Sequence, residues 1–220
     1  MESVKGLILA GGTSSRMKTR KELLSFQGDV PMYRQLIAVL HDALPESDTI
    51  YLSMRSKAAS QALPDITTYG TDSFGLEIHH KKLCVQIIYD DNASGDDGSD
   101  IGPAAGLLAA YRHDPKAKWL VIACDYPFLT TNALRQLLRH SEEAPVVCFE
   151  NQEGWYEPLL ALWTPQALRL LASNVQKGIL GPKSAIKAVQ GCGIRPLDER
   201  WLFNTNNRTE WQRALALKDG

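Results

Sequence analysis

VKGLILAGGTSSRMKTRKELL, residues 4–24, is an apolar run that stops at two glycines and gives way to hydroxyl side chains and cations. Leu7, Ile8, Leu9 and Ala10 follow one another without a polar break, the pattern of a strand covered on both faces, as in a parallel sheet. Gly11 and Gly12 let the backbone turn sharply and approach a ligand with no Cβ in the way. The amides of Gly11, Gly12, Thr13 and Ser14 would then point at an anion, with Arg16 offering a planar fork of donors and Lys21 a point charge. Two glycines alone read more economically as a flexible turn beside solvated cations. The conjunction of buried strand, double glycine, hydroxyls, Arg16 and Lys21 reads instead as a polyphosphate nest. It is neither G-x-G-x-x-G nor a P-loop, since no glycine stands two residues after Gly12 and no G-K-[ST] follows.

Outward from that loop the pattern is β-α-β-α. Pro31 suits the first position of a helix whose apolar stripe is Met32, Leu36, Ile37, Val39 and Leu40. Thr49 to Ser53 reads as a strand and Arg55 to Leu63 as a short helix closed by Pro64. Residues 65–83 break the rhythm and predict a surface insertion or hairpin exposing His79-His80, before a third strand from Cys84 to Tyr89. Residues 90–100, DDNASGDDGSD, predict a mobile acidic loop. Asp90, Asn92, Ser94 and Gly95 match the opening of a calcium EF loop, but Ile101 stands where that motif needs glutamate, and no helix precedes it.

Gly102 then suits a cap and Pro103 the first turn of a helix. Trp119 to Ala123 is another buried strand, and it delivers Asp125 to the edge where open α/β sheets bind ligands. A simple turn is the alternative for Asp125. Thr130 caps the next helix, PVVCFE is a strand, and Trp155 to Trp163 is a strand with aromatic ends. Thr164-Pro165 opens a helix to about Val175, and Pro182 a shorter one carrying Lys183 and Lys187. Leu202-Phe203 predicts a short strand, and Asn207 with Glu210 has capping-box spacing on a final helix.

A chain of 220 residues with 44% hydrophobic and 22% charged residues can bury one sizeable core, so a single domain over residues 1–220 is the economical reading. The net charge of -1 and pI near 6.5 argue against a nucleic-acid surface, and no apolar run reaches membrane length. The N-terminus runs directly into the first strand, which predicts a cytoplasmic protein without a signal peptide. Cys84, Cys124, Cys148 and Cys192 lack C-x-x-C spacing and read as reduced, buried side chains.

Leu9-Ala10-Gly11-Gly12-x-Ser14-x-Arg16-Met17-x-x-x-Lys21 resembles the N-terminal signature of nucleotidyltransferases that activate sugar phosphates and cofactor precursors, and most of all the molybdenum cofactor guanylyltransferases. Asp100-x-Gly102-Pro103-x-Ala105-Gly106, Cys124-Asp125-x-Pro127-Phe128, Glu157-Pro158-Leu159 and Asn204-x-Asn206 are similar to further elements of that family. The resemblance implies a doubly wound, three-layer α/β/α fold with a mainly parallel sheet. It also implies transfer of GMP from GTP to molybdenum-carrying molybdopterin, with Mg²⁺ held by Asp125 and release of pyrophosphate. Arg16, Lys21 and Asp125 are the catalytic residues so implied. Nucleotide contacts fall to Leu9, Ala10, Gly11, Gly12, Thr13, Ser14, Arg16, Lys21, Asp100, Gly102, Gly106, Asp125 and Asn206. Molybdoenzymes or other cofactor-biosynthesis proteins are the implied protein partners.

Lys183 and Lys187 would face the acceptor or be ordinary solvated lysines. The chain departs from the family at Lys18, Arg20, Ala104 and Asn207-Arg208, and reads Ser53-Met54-Arg55 where the base pocket carries an Asn-Arg pair. Two alternatives therefore stay open, transfer of another nucleotide such as CMP and a non-catalytic nucleotide-binding module.

Overall fold

The computed structural model describes residues 4–12, 19–66, 71–90 and 101–218. Its strands are β1 (Val4–Leu9), β2 (Ser25–Gln27), β3 (Val30–Pro31), β4 (Thr49–Met54), β5 (Ser73–Ile78), β6 (Lys81–Tyr89), β7 (Lys118–Ala123), β8 (Val146–Glu150), β9 (Tyr156–Trp163) and β10 (Cys192–Ile194). The helices are α1 (Met32–Ala43), α2 (Lys57–Ser60), α3 (Ala104–His113), α4 (Thr131–Arg139), α5 (Pro165–Gln176), α6 (Pro182–Ala188) and α7 (Arg208–Lys218).

Eight strands form one sheet in the order β10-β8-β9-β7-β1-β4-β6-β5, with β2 and β3 a separate small hairpin. β1 lies parallel to both β4 and β7, and β4 parallel to β6. From β1 the chain crosses through α1 to β4 and then β6 on one side, and returns through α3 to β7 on the other. That reversal opens a crevice at the carboxyl ends of β1 and β7, the switch point where doubly wound sheets bind ligands. β9 runs antiparallel to its neighbours β7 and β8, so its first residues, unlike those of the parallel strands, arrive at this same carboxyl edge.

The central strands are apolar on both faces because helices cover both. Ile8, Ile50, Leu52, Leu120 and Ile122 pack with Leu36, Ile37 and Leu40 of α1 and Leu134 and Leu137 of α4. Leu7, Tyr51, Trp119 and Val121 pack on the other face with Leu107 of α3, Leu168 and Leu171 of α5, and Ile186 of α6. Successive β1 residues thus feed opposite cores, which is the period-two geometry of a strand. Each fully buried Leu or Ile contributes about 1.5–3 kcal/mol, so the sheet edge can carry polar side chains without losing the fold.

Several expectations are corrected. Leu202-Phe203 forms no strand; Glu199–Leu202 is a 3₁₀ turn capped by Asp198, whose carboxylate accepts from the Arg200 amide. The helix expected over 55–63 contracts to α2, because Ser56 caps it by accepting from the Ala59 amide. The cap of α3 is Pro103, and Gly102 sits one residue earlier in a turn with φ +59. Cys84 is exposed, while Cys124 and Cys148 are buried, and all four cysteines are free thiols. The 65–83 region holds a hairpin, β5 with β6, turning at His79 and His80, both at positive φ. The acidic residues 91–100 lie outside the described residues.

Candidate active site

At the switch point Lys21 Nζ stands 3.1 Å from Asp125 Oδ2 and 3.3 Å from Asn206 Oδ1. Three chain segments meet there. Asp125 leaves the end of β7, where the Cys124 amide still donates to Leu9 O at 3.1 Å and keeps β7 in step with β1. Lys21 opens a 3₁₀ turn, Lys21–Leu23, closed by the Leu24 amide on Lys21 O. The Met32 amide in turn donates to Leu24 O at 2.8 Å and fixes the turn against the start of α1. Beside Lys21, Arg20 Nε donates to the buried Glu22 carboxylate at 2.6 Å.

The third segment, 203–206, runs past the β7 loop in the reverse direction and is fastened residue by residue. Phe203 meets Phe128 edge-on with centroids 5.7 Å apart. The Asn204 side chain faces the Tyr126 hydroxyl. Thr205 donates its amide (2.9 Å) and its hydroxyl (3.1 Å) to Asp125 O. Asn206 reaches Lys21. Phe26 of β2 packs on Phe128 and on Trp211 of α7, so one aromatic cluster ties all three segments together. The expected cap on α7 forms, with the Glu210 amide donating to Asn207 Oδ1 at 3.0 Å, but the returning Glu210 carboxylate accepts from the Asn206 amide and not from that of Asn207. That bond orients the residue whose side chain faces Lys21.

On the other flank, Leu9, Ala10, Gly11 and Gly12 end β1. The Ala10 amide donates to Ser53 O at 2.9 Å, placing the glycines beside the end of β4. A Cβ on Gly11 would fall 2.6 Å from Asp90 Oδ2 and 3.1 Å from the Arg55 amide nitrogen, so the backbone approaches as closely as it does because no side chain intervenes. Gly12 has open space around it. Thr13, Ser14, Arg16 and Asp100 lie outside the described residues. Gly106 has a packing reason for its identity, since a Cβ there would meet Leu9 Cδ2 at 2.6 Å and Ser53 Oγ at 2.9 Å. Overpacking of this kind costs about 1–3 kcal/mol. Gly106→Ala should therefore lower the denaturation midpoint, and an unchanged midpoint in a urea titration would show that α3 simply shifts outward.

Two further residues stand at this edge, and neither is among the catalytic, nucleotide or metal residues the resemblance implies. Asp90 follows β6 much as Asp125 follows β7, but it opens a run of aspartates that reads as an acidic loop. Glu157 accepts from the Tyr126 hydroxyl at 3.0 Å. Recognising its place required knowing that β9 runs backwards, which the bulge between Cys148 and Phe149 accompanies. Burial raises the Glu157 carboxyl above its usual range, opposed by Tyr126 and Lys183, while the nearby Asp125 charge adds to the rise. Burial, Asp125 and Glu22 push the Cys124 thiol well up, so this cysteine stays neutral and serves as packing.

Asp125 Oδ1 and Asn204 Oδ1 are buried without a hydrogen-bond partner among the described residues. A buried oxygen without a donor is costly, and two such hard oxygens at one sheet edge suit a divalent cation. Among the described residues no group of three or more His, Cys, Asp or Glu side chains could hold a metal, so such an ion would complete its shell from phosphate and water. None of the described helices is long and apolar enough to cross a membrane.

Comparison with known proteins agrees with this architecture. The chain is 26% identical over 94% of its length to a molybdenum cofactor biosynthesis bifunctional protein of Synechocystis, of which it spans only 52%. It is 30% identical to a molybdenum cofactor guanylyltransferase of Pseudomonas putida, covering 91% of this chain and 92% of that one. The crystal structure of molybdopterin-guanine dinucleotide biosynthesis protein A from Archaeoglobus fulgidus superposes with a TM-score of 0.70 at 18% identity, covering 98% of both chains. Residues 6–191 match the MobA-like NTP transferase domain, and the chain belongs to that family.

Proposed function

We propose that the protein transfers GMP from GTP to a molybdopterin acceptor. The observation that carries this reading is the meeting of Lys21, Asp125 and Asn206 at the switch point beside the Gly11-Gly12 turn. An oxygen of the acceptor phosphate attacks the α-phosphorus, a new P–O–P bond forms, the α–β bridging bond breaks, and pyrophosphate leaves with the electron pair. Little covalent work falls to the protein, so positioning and charge neutralisation supply the rate. Gly11 and Gly12 admit the triphosphate close to the backbone, with Thr13, Ser14 and Arg16 as its further ligands. The Lys21 ammonium neutralises charge that builds on the leaving pyrophosphate. Asp125 and Asn204 would hold Mg²⁺, which when bound acts as a Lewis acid on the phosphates. Asn206 keeps the ammonium in place while Asp125 engages the cation.

One feature weakens the guanine assignment and leaves room for a second reading, transfer of CMP. Met54, at the expected base pocket, is fully buried in the core and offers no polar edge to a base. A thermal-shift comparison of GTP, CTP, ATP and UTP with Mg²⁺ separates the readings. A ligand at a hundred times its Kd stabilises the folded state by about 2.7 kcal/mol, and GTP should give the largest shift. A larger shift with CTP assigns the protein to cytidylyl transfer. Nucleotide binding without pyrophosphate release in the presence of molybdopterin would leave a binding module.

A further inference from the structure

The strand order puts β1, β4 and β6 on one side of β7 and β9 on the other. Gly11, Gly12 and Asp90 therefore flank Asp125 on one side, and the β8–β9 hairpin flanks it on the opposite side. That hairpin turn is tightly built. Asn151 Oδ1 accepts the amides of Glu153 and Trp155, each at 3.0 Å, and the Asn151 amide donates to Trp155 O at 3.0 Å. Gly154 supplies the positive φ of +81 the turn needs. Trp155 is thus fixed at its backbone, yet its side chain is 55% exposed. Trp119, Trp163 and Trp201 are all buried, so an ordered, open indole at the edge of the site stands apart.

Lys183, in the first turn of α6, holds its ammonium 5.6 Å from the Trp155 ring centroid, within cation–π range. The same ammonium acts on Glu157, two residues along the strand from Trp155. Glu157 bonds Tyr126, the neighbour of Asp125. Trp155, Lys183, Glu157 and Tyr126 thus lead, one interaction after another, from the open indole toward Asp125. The ammonium lies over the indole, and more than half of the residue stays exposed, which gives a planar ring open surface to stack on. The one carboxylate among these four side chains is Glu157, and Lys183 offsets its charge.

Resting on the nucleotidyltransferase reading, we propose that Trp155 and Lys183 form an acceptor subsite for a phosphorylated planar heterocycle. The ring stacks on the indole, and the phosphate meets the ammonium on its way to Asp125. An indole accepts any flat heteroaromatic ring, since stacking reads a π-face and not an edge. The ammonium adds selection for a phosphate over an uncharged alcohol.

The test uses 6-hydroxymethylpterin monophosphate, and 6-hydroxymethylpterin as its uncharged counterpart. Each is titrated into the full chain by calorimetry and by tryptophan fluorescence. Wild type should bind the phosphate saturably and quench fluorescence. Trp155→Ala should weaken it about tenfold or more, in line with loss of one stacked ring, and Trp155→Phe should recover most of that loss. Lys183→Gln should weaken the phosphate about tenfold and leave the alcohol unchanged, with Lys183→Arg restoring the difference. The thermal shift with GTP and Mg²⁺ should be the same in all four variants. Absence of saturable binding to wild type, or wild-type affinity in Trp155→Ala or in Lys183→Gln, overturns the subsite. If wild type binds the pterin phosphate through both residues and shows no nucleotide shift, the subsite stands and the nucleotidyltransferase reading falls.

Discussion

Asp125→Asn should fold as wild type and lose nearly all nucleotidyl transfer, by roughly 10³-fold or more. Asparagine keeps the shape of the side chain and removes its charge. The C-terminal segment does not depend on that charge, because Thr205 donates its amide and hydroxyl to the backbone oxygen of residue 125. The Lys21 ammonium can still reach an amide oxygen and keeps Asn206, so the melting temperature should move little. The loss falls on Oδ1, buried without a donor among the described residues, and on the anionic partner of Lys21 at Oδ2. Asp90→Asn is the informative comparison, since Asp90 also ends a strand at this edge and lies against Gly11. Pyrophosphate release measured against Mg²⁺ concentration should show Asp125→Asn unrescued and Asp90→Asn the milder of the two. The reverse order would place the cation beside Gly11, and full activity in Asp125→Asn would remove the carboxylate from the mechanism.

How much of this was legible in the sequence follows from where each signal resides. The buried strands β1, β4 and β7 announce themselves because helices on both faces leave no polar position to confuse the pattern. Asp125 was readable for a related reason, as a carboxylate just beyond an apolar run belongs at a sheet edge. Strand direction carries no such mark. The reversal of β9 is decided by the short turn after Glu150, since a few residues can close an antiparallel hairpin but not a parallel crossover. Trp155 and Glu157 consequently read as the aromatic end of a strand and as part of a Glu-Pro-Leu element, with nothing to say which edge of the sheet they reach. The expected strand at Leu202-Phe203 failed for a different reason. Phe203 and Trp201 are apolar because they pack against Phe128 and Phe149, and such side-chain packing needs no ladder of backbone bonds. The pairing of 203–206 with 125–128 is equally invisible in sequence, being made by a single backbone bond and a few side chains across a separation of some eighty residues.

Lys21→Ala should lower turnover by roughly 10² or more, the usual effect of deleting a preorganised charge stabiliser. It should also cost stability, which it would not do for a solvated lysine. The side chain is only 15% exposed and links positions 104 and 185 residues away along the chain. Without the ammonium, the Asp125 carboxylate, itself 17% exposed, loses its cation while Oδ1 still has no donor among the described residues. Breaking a partly buried pair from one side exposes that penalty, here about 1–3 kcal/mol. Coupling follows, and it is the sharper test. In Lys21→Ala/Asp125→Asn the orphaned charge is gone, so the double variant should be more stable than Lys21→Ala alone, as residues in direct contact are not additive. Chemical denaturation of the two single variants and the double variant reads the stability, and steady-state turnover reads the chemistry. If the ammonium acts on the leaving pyrophosphate, kcat and kcat/KM fall together; a rise in KM alone would mean that it binds the ground state and transition state equally. Near-normal turnover with the stability loss intact would reduce Lys21 to a structural ion pair, and the charge on the pyrophosphate would then have to be met by the cation and the loop after Gly12.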